Sequence, residues 1–242
     1  MKTLKSTIVI LFFSVTLFSQ TEGDKMAYRA YLTNNKALWE QLVAQERQQY
    51  KKTKNKENLY RLLLAQHGLL GATMADKDEK LFNDHYKTAK NNSKELIDAN
   101  HNTANAMAIL TAIYGWEMAY SPYKGMFLGG KSSSTIAEAL ELDASSPLVW
   151  QVYGTSKLFT PETWGGDTKI AQESFEKSVS LYESNKDQLR ENWRYLDALA
   201  LLGQAYEVNG NKEMAQKTYE KALKIAPDFG WVKYALLPAL TD

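Results

Sequence analysis

Apolar residues along most of the chain recur every three to four positions, the spacing of one face of an α-helix. Alternation of apolar and polar residues, which would predict β-strands, is nearly absent. Short breaks rich in Asn, Asp, Gly and Pro separate the periodic segments. The pattern predicts helices over 25–32, 34–52, 57–74, 77–97, 102–120, 131–142, 147–159, 167–184, 189–209, 211–225 and 228–240.

Residues that favour helix ends support these boundaries. Asp167 precedes a predicted helix and carries an oxygen suited to capping its first amides, and Ser146 followed by Pro147 repeats this arrangement with proline at the first helical position. Gly210 lies between two helical patterns, where a left-handed backbone conformation is needed.

The C-terminal helices carry a repeated spacing of large and small residues. Counting Leu196 as position 1, small residues at positions 8, 20 and 27 let two antiparallel helices approach closely, and large residues fill the space between the helices. The pattern comprises Leu199, Leu202, Gly203, Tyr206, Ala215, Tyr219, Ala222 and Pro227.

Two upstream segments repeat this spacing. Gly154, Ala171 and Phe175 fit positions 8, 20 and 24, with extra residues in the turn within 159–166. A segment 39 residues further upstream aligns with that unit, pairing Tyr114-Gly115 with Tyr153-Gly154 and Pro122 with Pro161. Residues 25–52 and 57–97 are predicted as two more helix pairs.

This spacing resembles the tetratricopeptide repeat, with Leu199 in place of the usual tryptophan. The chain as a whole resembles exported bacterial tetratricopeptide-repeat proteins that carry a Pro-containing Met-Phe-Leu-Gly-type insert in one repeat and a Pro…Gly-Gly-Asp insert in the next. The resemblance implies an all-α fold, a right-handed α-solenoid of tetratricopeptide-like helix pairs. It implies no reaction, because that family has no agreed activity.

The first residues have the layout of a secretory signal peptide: Lys2 and Lys5, a twelve-residue apolar stretch over 7–18, then a polar flank. We predict that residues 1–19 are a signal peptide and that residues 20–242 form one helical domain of four to five pairs with a C-terminal capping helix. The expected location is the periplasm, with secretion as the alternative. No later segment is apolar enough to predict stable membrane insertion after signal removal.

Composition narrows the functional classes. The chain has 29 basic and 28 acidic residues, which argues against a nucleic-acid partner, and no cysteine, which excludes disulfides and thiolate metal sites. The histidines at 67, 85 and 101 have no second ligand at helical spacing, so we predict no metal and expect these histidines to be exposed or hydrogen-bonded. No catalytic residues and no cofactor are predicted.

Residues 125–132 match the phosphate-binding pattern G-x-x-x-x-G-K-[ST]. A nucleotide site also needs a buried strand before the loop and a second strand ending in an acidic residue, and neither is present. We therefore interpret the segment as a glycine-rich loop between helices, with the next helix beginning at Lys131.

Two surfaces are candidates for binding a partner. The inserts of adjacent repeats should lie side by side, which brings together Tyr120, Tyr123, Lys124, Phe127, Phe159, Trp164 and Asp167. In the rival interpretation these rings pack inward, and Gly165-Gly166-Asp167 is a turn followed by a helix cap.

The second candidate is the concave face, at positions 2, 5, 9 and 12 of the first helix in each pair. There we place Leu148, Gln151, Thr155, Leu158, Asp197, Ala200, Gln204 and Glu207, a mixed and mildly acidic set.

The sequence therefore predicts a non-catalytic scaffold that binds a peptide or protein partner. The alternative is a solute-binding or transport-accessory module resembling the T component of periplasmic TRAP transporters, which has a similar Gly-Gly-Asp turn.

Overall fold

The structure is a computed structural model that describes residues 21–186 and 189–240. The predicted signal peptide lies outside the described residues. The helices are α1 Glu22–Leu32, α2 Lys36–Thr53, α3 Lys56–Ala72, α4 Glu79–Asp98, α5 Thr103–Tyr120, α6 Gly125–Leu142, α7 Pro147–Phe159, α8 Thr168–Glu183, α9 Trp193–Val208, α10 Lys212–Ile225 and α11 Leu237–Ala239. None of the helices among these residues is long and apolar enough to cross a membrane.

Side-chain caps define where many helices begin. Ser146 Oγ accepts a hydrogen bond from the amide of Val149 at 3.3 Å, and Asp167 Oδ1 accepts from the amides of Lys169 and Ile170 at 2.9 and 3.0 Å. Gly210 has a φ of +79°, in the left-handed region that a side chain disfavours. The predicted starts of α7 and α8 and the predicted turn before α10 are confirmed.

The helices pack as five consecutive pairs, from α1/α2 to α9/α10, so the predicted all-α solenoid of tetratricopeptide-like pairs is confirmed. The first helix of each pair lies on the inside, where α3 contacts α5, α5 contacts α7 and α7 contacts α9. Helix α1 contacts both α3 and α9. The five inner helices therefore form a closed ring, which the repeat pattern did not predict.

Glycines allow close packing within two of the pairs. A Cβ on Gly203 would lie 2.1 Å from the Tyr219 ring, and a Cβ on Gly154 would lie 2.9 Å from the Phe175 ring. Gly115, which the 39-residue alignment places at the same position, is exposed and has no such neighbour within 4 Å. The close approach predicted for this position is therefore correct at Gly154 and Gly203 and wrong at Gly115.

One predicted boundary and the regularity of one predicted helix are wrong. Helix α6 begins at Gly125, six residues before the predicted start at Lys131, because the 3-10 turn Pro122–Lys124 continues directly into it. The C-terminal helical segment contains a π-helical turn, Val232–Leu236, before α11.

The C-terminal segment packs on the last pair through Phe229 and Val232, which are buried, whereas Trp231 and Tyr234 are 40% and 74% exposed.

Candidate functional site

The first insert is held to the helix before it by ion pairs. The buried carboxylate of Glu117 in α5 lies 2.5 Å from Lys90 Nζ and 3.5 Å from Lys124 Nζ. The Lys124 ammonium also lies 5.5 Å from the centre of the Tyr86 ring. Lys124 therefore fixes the turn between α5 and α6. Its ammonium, which was predicted to contact a partner protein, is already engaged by Glu117 and Tyr86 of the same chain.

The second insert is a tight turn between α7 and α8. Gly165 has a φ of +93°, and a Cβ on Gly166 would lie 1.8 Å from the carbonyl oxygen of Thr160, so both positions require glycine. Lys157 Nζ donates to the carbonyl of Gly165 at 2.9 Å. Because Asp167 Oδ1 caps α8, the turn-and-cap interpretation is correct for Asp167.

The two inserts touch each other. A Cβ on Gly125, at the start of α6, would lie 3.1 Å from the Trp164 ring, so the ring rests on the backbone of the neighbouring pair. Large apolar side chains in and next to the two inserts are exposed, at 62% to 74% of their surface. We call this surface the aromatic ridge; it comprises Tyr123, Met126, Phe127, Phe159 and Trp164.

Met126 was not among the predicted candidates. Its position in the Met-Phe-Leu-Gly segment was a usable signal, because that segment is apolar without fitting the buried face of a helix. Tyr120 was predicted to join this surface and does not. Its hydroxyl donates to the carbonyl of Thr73 at 2.8 Å, and the centre of its ring lies 4.6 Å from that of Phe82. Tyr120 therefore holds the end of α5 against α4 and against the residue that follows α3.

The inner face is not an open groove at the predicted positions. Leu148, Gln151 and Ala200 are buried, and Gln151 Nε2 donates to Asp197 Oδ2 at 2.5 Å. The prediction of Gln151 as an accessible binding residue is wrong, because its side chain is buried and bonded to Asp197 in α9 and to Tyr182 in α8. The sequence carries no local signal for these contacts between separate helices.

Two further predicted inner-face residues, Gln204 and Glu207, lie in the second half of α9. Gln204 is partly buried, and its Nε2 has no hydrogen-bond partner among the described residues. Glu207 is also partly buried and accepts a hydrogen bond from the Tyr219 hydroxyl at 3.5 Å.

The interior of the ring contains a buried histidine. The ring of His67 in α3 lies 5.3 Å from that of Trp116 and 5.9 Å from that of Trp193, and its Nδ1 has no partner in the part of the chain that the structure describes. Burial and the nearby Arg194 cation lower the pKa of His67 to about 3. The expectation that each histidine would be exposed or hydrogen-bonded is therefore wrong at His67.

The segment that matches the phosphate-binding pattern is helical. Residues 125–132 form the first turns of α6, and Lys131 is exposed on that helix. The interpretation as a loop between helices is therefore wrong. These backbone amides also cannot wrap around a phosphate, because most of them donate hydrogen bonds within the helix.

The described residues offer little support for a metal site or a ligand-binding groove elsewhere in the fold. Within residues 21–186 and 189–240, no group of three His, Cys, Asp or Glu side chains is placed to hold a metal ion. A shallow groove of about 490 Å³ between α8 and α9 is lined in part by Glu176, Glu183 and Tyr206. Its carboxylates accept hydrogen bonds from Tyr206 and Tyr195 at 2.8 and 2.6 Å, so they already have partners within the chain.

Comparisons with known proteins agree with the repeat assignment. Residues 196–229 match the family described as the tetratricopeptide repeat. No curated protein sequence matches the chain significantly. Residues 196–229 therefore form a tetratricopeptide repeat, as the repeat spacing predicted for this segment.

Two solved structures share the fold over most of their lengths. The HusA haemophore from Porphyromonas gingivalis is 17% identical with a TM-score of 0.62, and the alignment covers 80% of this chain and 96% of HusA. The thermophilic TPR protein TTC0263 from Thermus thermophilus is 16% identical with a TM-score of 0.61, and the alignment covers 91% of this chain and 98% of TTC0263. At these identities the likeness concerns the fold alone.

Proposed function

We propose that this protein is a non-catalytic periplasmic scaffold that binds a peptide or protein through the aromatic ridge. The observation that carries the proposal is the exposure of the ridge, where Phe127 is 67% and Trp164 is 62% exposed on two rigid inserts. Solenoids of helical repeats commonly present such surfaces to other proteins. Large rings held in fixed positions bind with little loss of conformational entropy.

The inserts that carry the ridge are fixed by contacts with the helices next to them. Lys124 fixes one turn through Glu117, and the capping carboxylate of Asp167 fixes the end of the other. The rings therefore stay exposed without collapsing onto the core. A protein segment with apolar side chains is the partner that fits this surface, since contact would remove several large apolar side chains from water at once.

Substitution of the two central rings tests the proposal. We expect Trp164→Ala and Phe127→Ala to abolish crosslinking and capture of the partner from envelope extracts by the tagged mature protein. Because both side chains are more than half exposed, each substitution should change the free energy of unfolding by less than ~1 kcal/mol. Capture is measured by mass spectrometry and stability by chemical denaturation.

The control is Tyr234→Ala, which removes an aromatic side chain that is 74% exposed on the C-terminal segment, outside the ridge. It should bind the partner like the unaltered protein. Equal capture by all three variants would contradict the proposal. If the free energy of unfolding of either ridge variant instead falls by ~3 kcal/mol, the ring packs against the protein and stabilises the fold.

Export is a separate part of the proposal and is supported by the signal-like segment at the N-terminus. We expect the protein in the periplasmic fraction to begin near residue 20. N-terminal sequencing of the fractionated protein measures this directly. A full-length chain beginning at Met1 and confined to the cytoplasmic fraction would contradict the proposed location while leaving the proposed ridge intact.

The alternative of a solute-binding module related to TRAP transporters gains no support. Its basis was the Gly-Gly-Asp turn, and in this structure that turn serves to cap α8 and to place Trp164.

A further inference from the structure

The aromatic ridge is built from two halves, one at each insert. Tyr123 lies in the 3-10 turn before α6, and Met126 and Phe127 lie in the first turn of α6. Phe159 ends α7, and Trp164 lies in the turn that follows. The halves meet where the Trp164 ring rests on the start of α6. Each half therefore presents large apolar side chains, and the contact between the inserts lies at the centre of the ridge.

Each half also carries an exposed charge, and the two charges have opposite signs. Lys131 lies one helical turn after Phe127 on α6, and Glu162 lies two positions before Trp164 in the second insert. Neither side chain forms an ion pair with another of the described residues. The other charged groups in and next to the inserts already have partners within the chain: Lys124, Lys157 and Asp167.

We propose that the partner of the aromatic ridge is a second copy of this chain, bound across a two-fold axis that passes near Trp164. Such an axis places the α6 half of one copy on the second-insert half of the other, because the same surface is used by both copies. Phe127 then meets Phe159 of the second copy, and Lys131 meets its Glu162. The inference rests on the proposed function, since it names the partner of the same surface.

The exposed area agrees with an interface between two copies. Five large side chains of about 200 Å² each, roughly two-thirds exposed, leave ~650 Å² of apolar surface open to water. A standard interface buries ~800 Å² on each partner, so the ridge with its two charged side chains has the right size. The net charge of the whole chain is +1, which adds almost no repulsion between two copies.

Dimerisation is measured by light scattering after size-exclusion chromatography and by sedimentation equilibrium of the tagged mature protein. We expect a dimer at micromolar concentrations. Phe127→Ala and Trp164→Ala should each weaken the dimer at least ~10-fold, because every contact occurs twice in a two-fold interface. Tyr234→Ala, which lies outside the ridge, should dimerise like the unaltered protein.

Reversal of the two charges tests the two-fold arrangement itself. Lys131→Glu alone places two pairs of carboxylates against each other, and Glu162→Lys alone places two pairs of lysines there. Each variant should therefore dimerise ~10-fold more weakly. In an equal mixture, one copy of each variant restores both attractive pairs, so the dimer should return. Lys177→Glu, the same change at an exposed position of α8, is the control and should dimerise normally.

The outcomes separate this inference from the proposed function. A chain that stays monomeric overturns the inference. If that monomer still captures a different protein through Phe127 and Trp164, the proposed function stands with another partner. A dimer that the two ring variants leave unchanged uses another surface and also overturns the inference. A mixture of Lys131→Glu and Glu162→Lys that fails to dimerise overturns the two-fold pairing.

Discussion

Gly203→Ala is expected to destabilise the protein by at least about 2 kcal/mol, although alanine is the better helix former. The new Cβ would lie 2.1 Å from the ring of Tyr219, which is fully buried, with its hydroxyl directed to Glu207. To accept the methyl group, α9 and α10 must move apart or the ring must leave its site. Either change disrupts the packing of the last complete helix pair.

Gly115→Ala is the matched control, because it makes the same chemical change inside a helix where no side chain lies within 4 Å of the new atom. This variant should be unchanged or stabilised by up to ~1 kcal/mol, from helix propensity alone. Both variants are compared by urea denaturation under the same conditions. Similar free energies of unfolding for the two would show that the close contact at Gly203 has little energetic weight.

His67→Phe is expected to make the protein less sensitive to mild acid. The folded protein holds this ring neutral, since burial lowers its pKa from 6.5 to about 3. Stability that depends on the neutral ring is complete above pH 6.5 and is lost as the pH falls towards 3, because the unfolded chain then binds a proton that the folded chain excludes. Phenylalanine keeps a ring between Trp116 and Trp193 and cannot be protonated.

Between pH 7.5 and pH 5, the free energy of unfolding of the unaltered protein should fall by about 2 kcal/mol more than that of the variant. This follows from roughly 1.5 pH units below 6.5 at 1.36 kcal/mol per unit. The measurement is the free energy of unfolding of both proteins at the two pH values. Asp197→Asn should change the pH dependence in the opposite direction, since the pKa of Asp197 is raised. A His67→Phe variant with the same pH dependence as the unaltered protein would mean that His67 is already solvated.

Sequence reasoning on the binding residues succeeded where a side chain's role depends on its immediate neighbours in the chain. The cap at Asp167 and the glycines at 165 and 166 follow from a short turn. It failed for Tyr120 and Gln151, whose surroundings come from Thr73 and Asp197, 47 and 46 positions away. It also failed at the start of α6, where a 3-10 turn carries the helix through glycines that normally favour a break.

The sequence by itself determined the helices, their pairing and the repeat, because a 3.6-residue period and capping side chains act over one or two turns of chain. The tertiary structure alone decided that the ring is closed and that its inner face is filled. The bond that closes it joins Tyr31 to Asp197 across 166 positions, and no local pattern encodes which distant helix an inner helix will meet. The same closure determines the ionisation of His67 and Asp197, because it sets how much water reaches them.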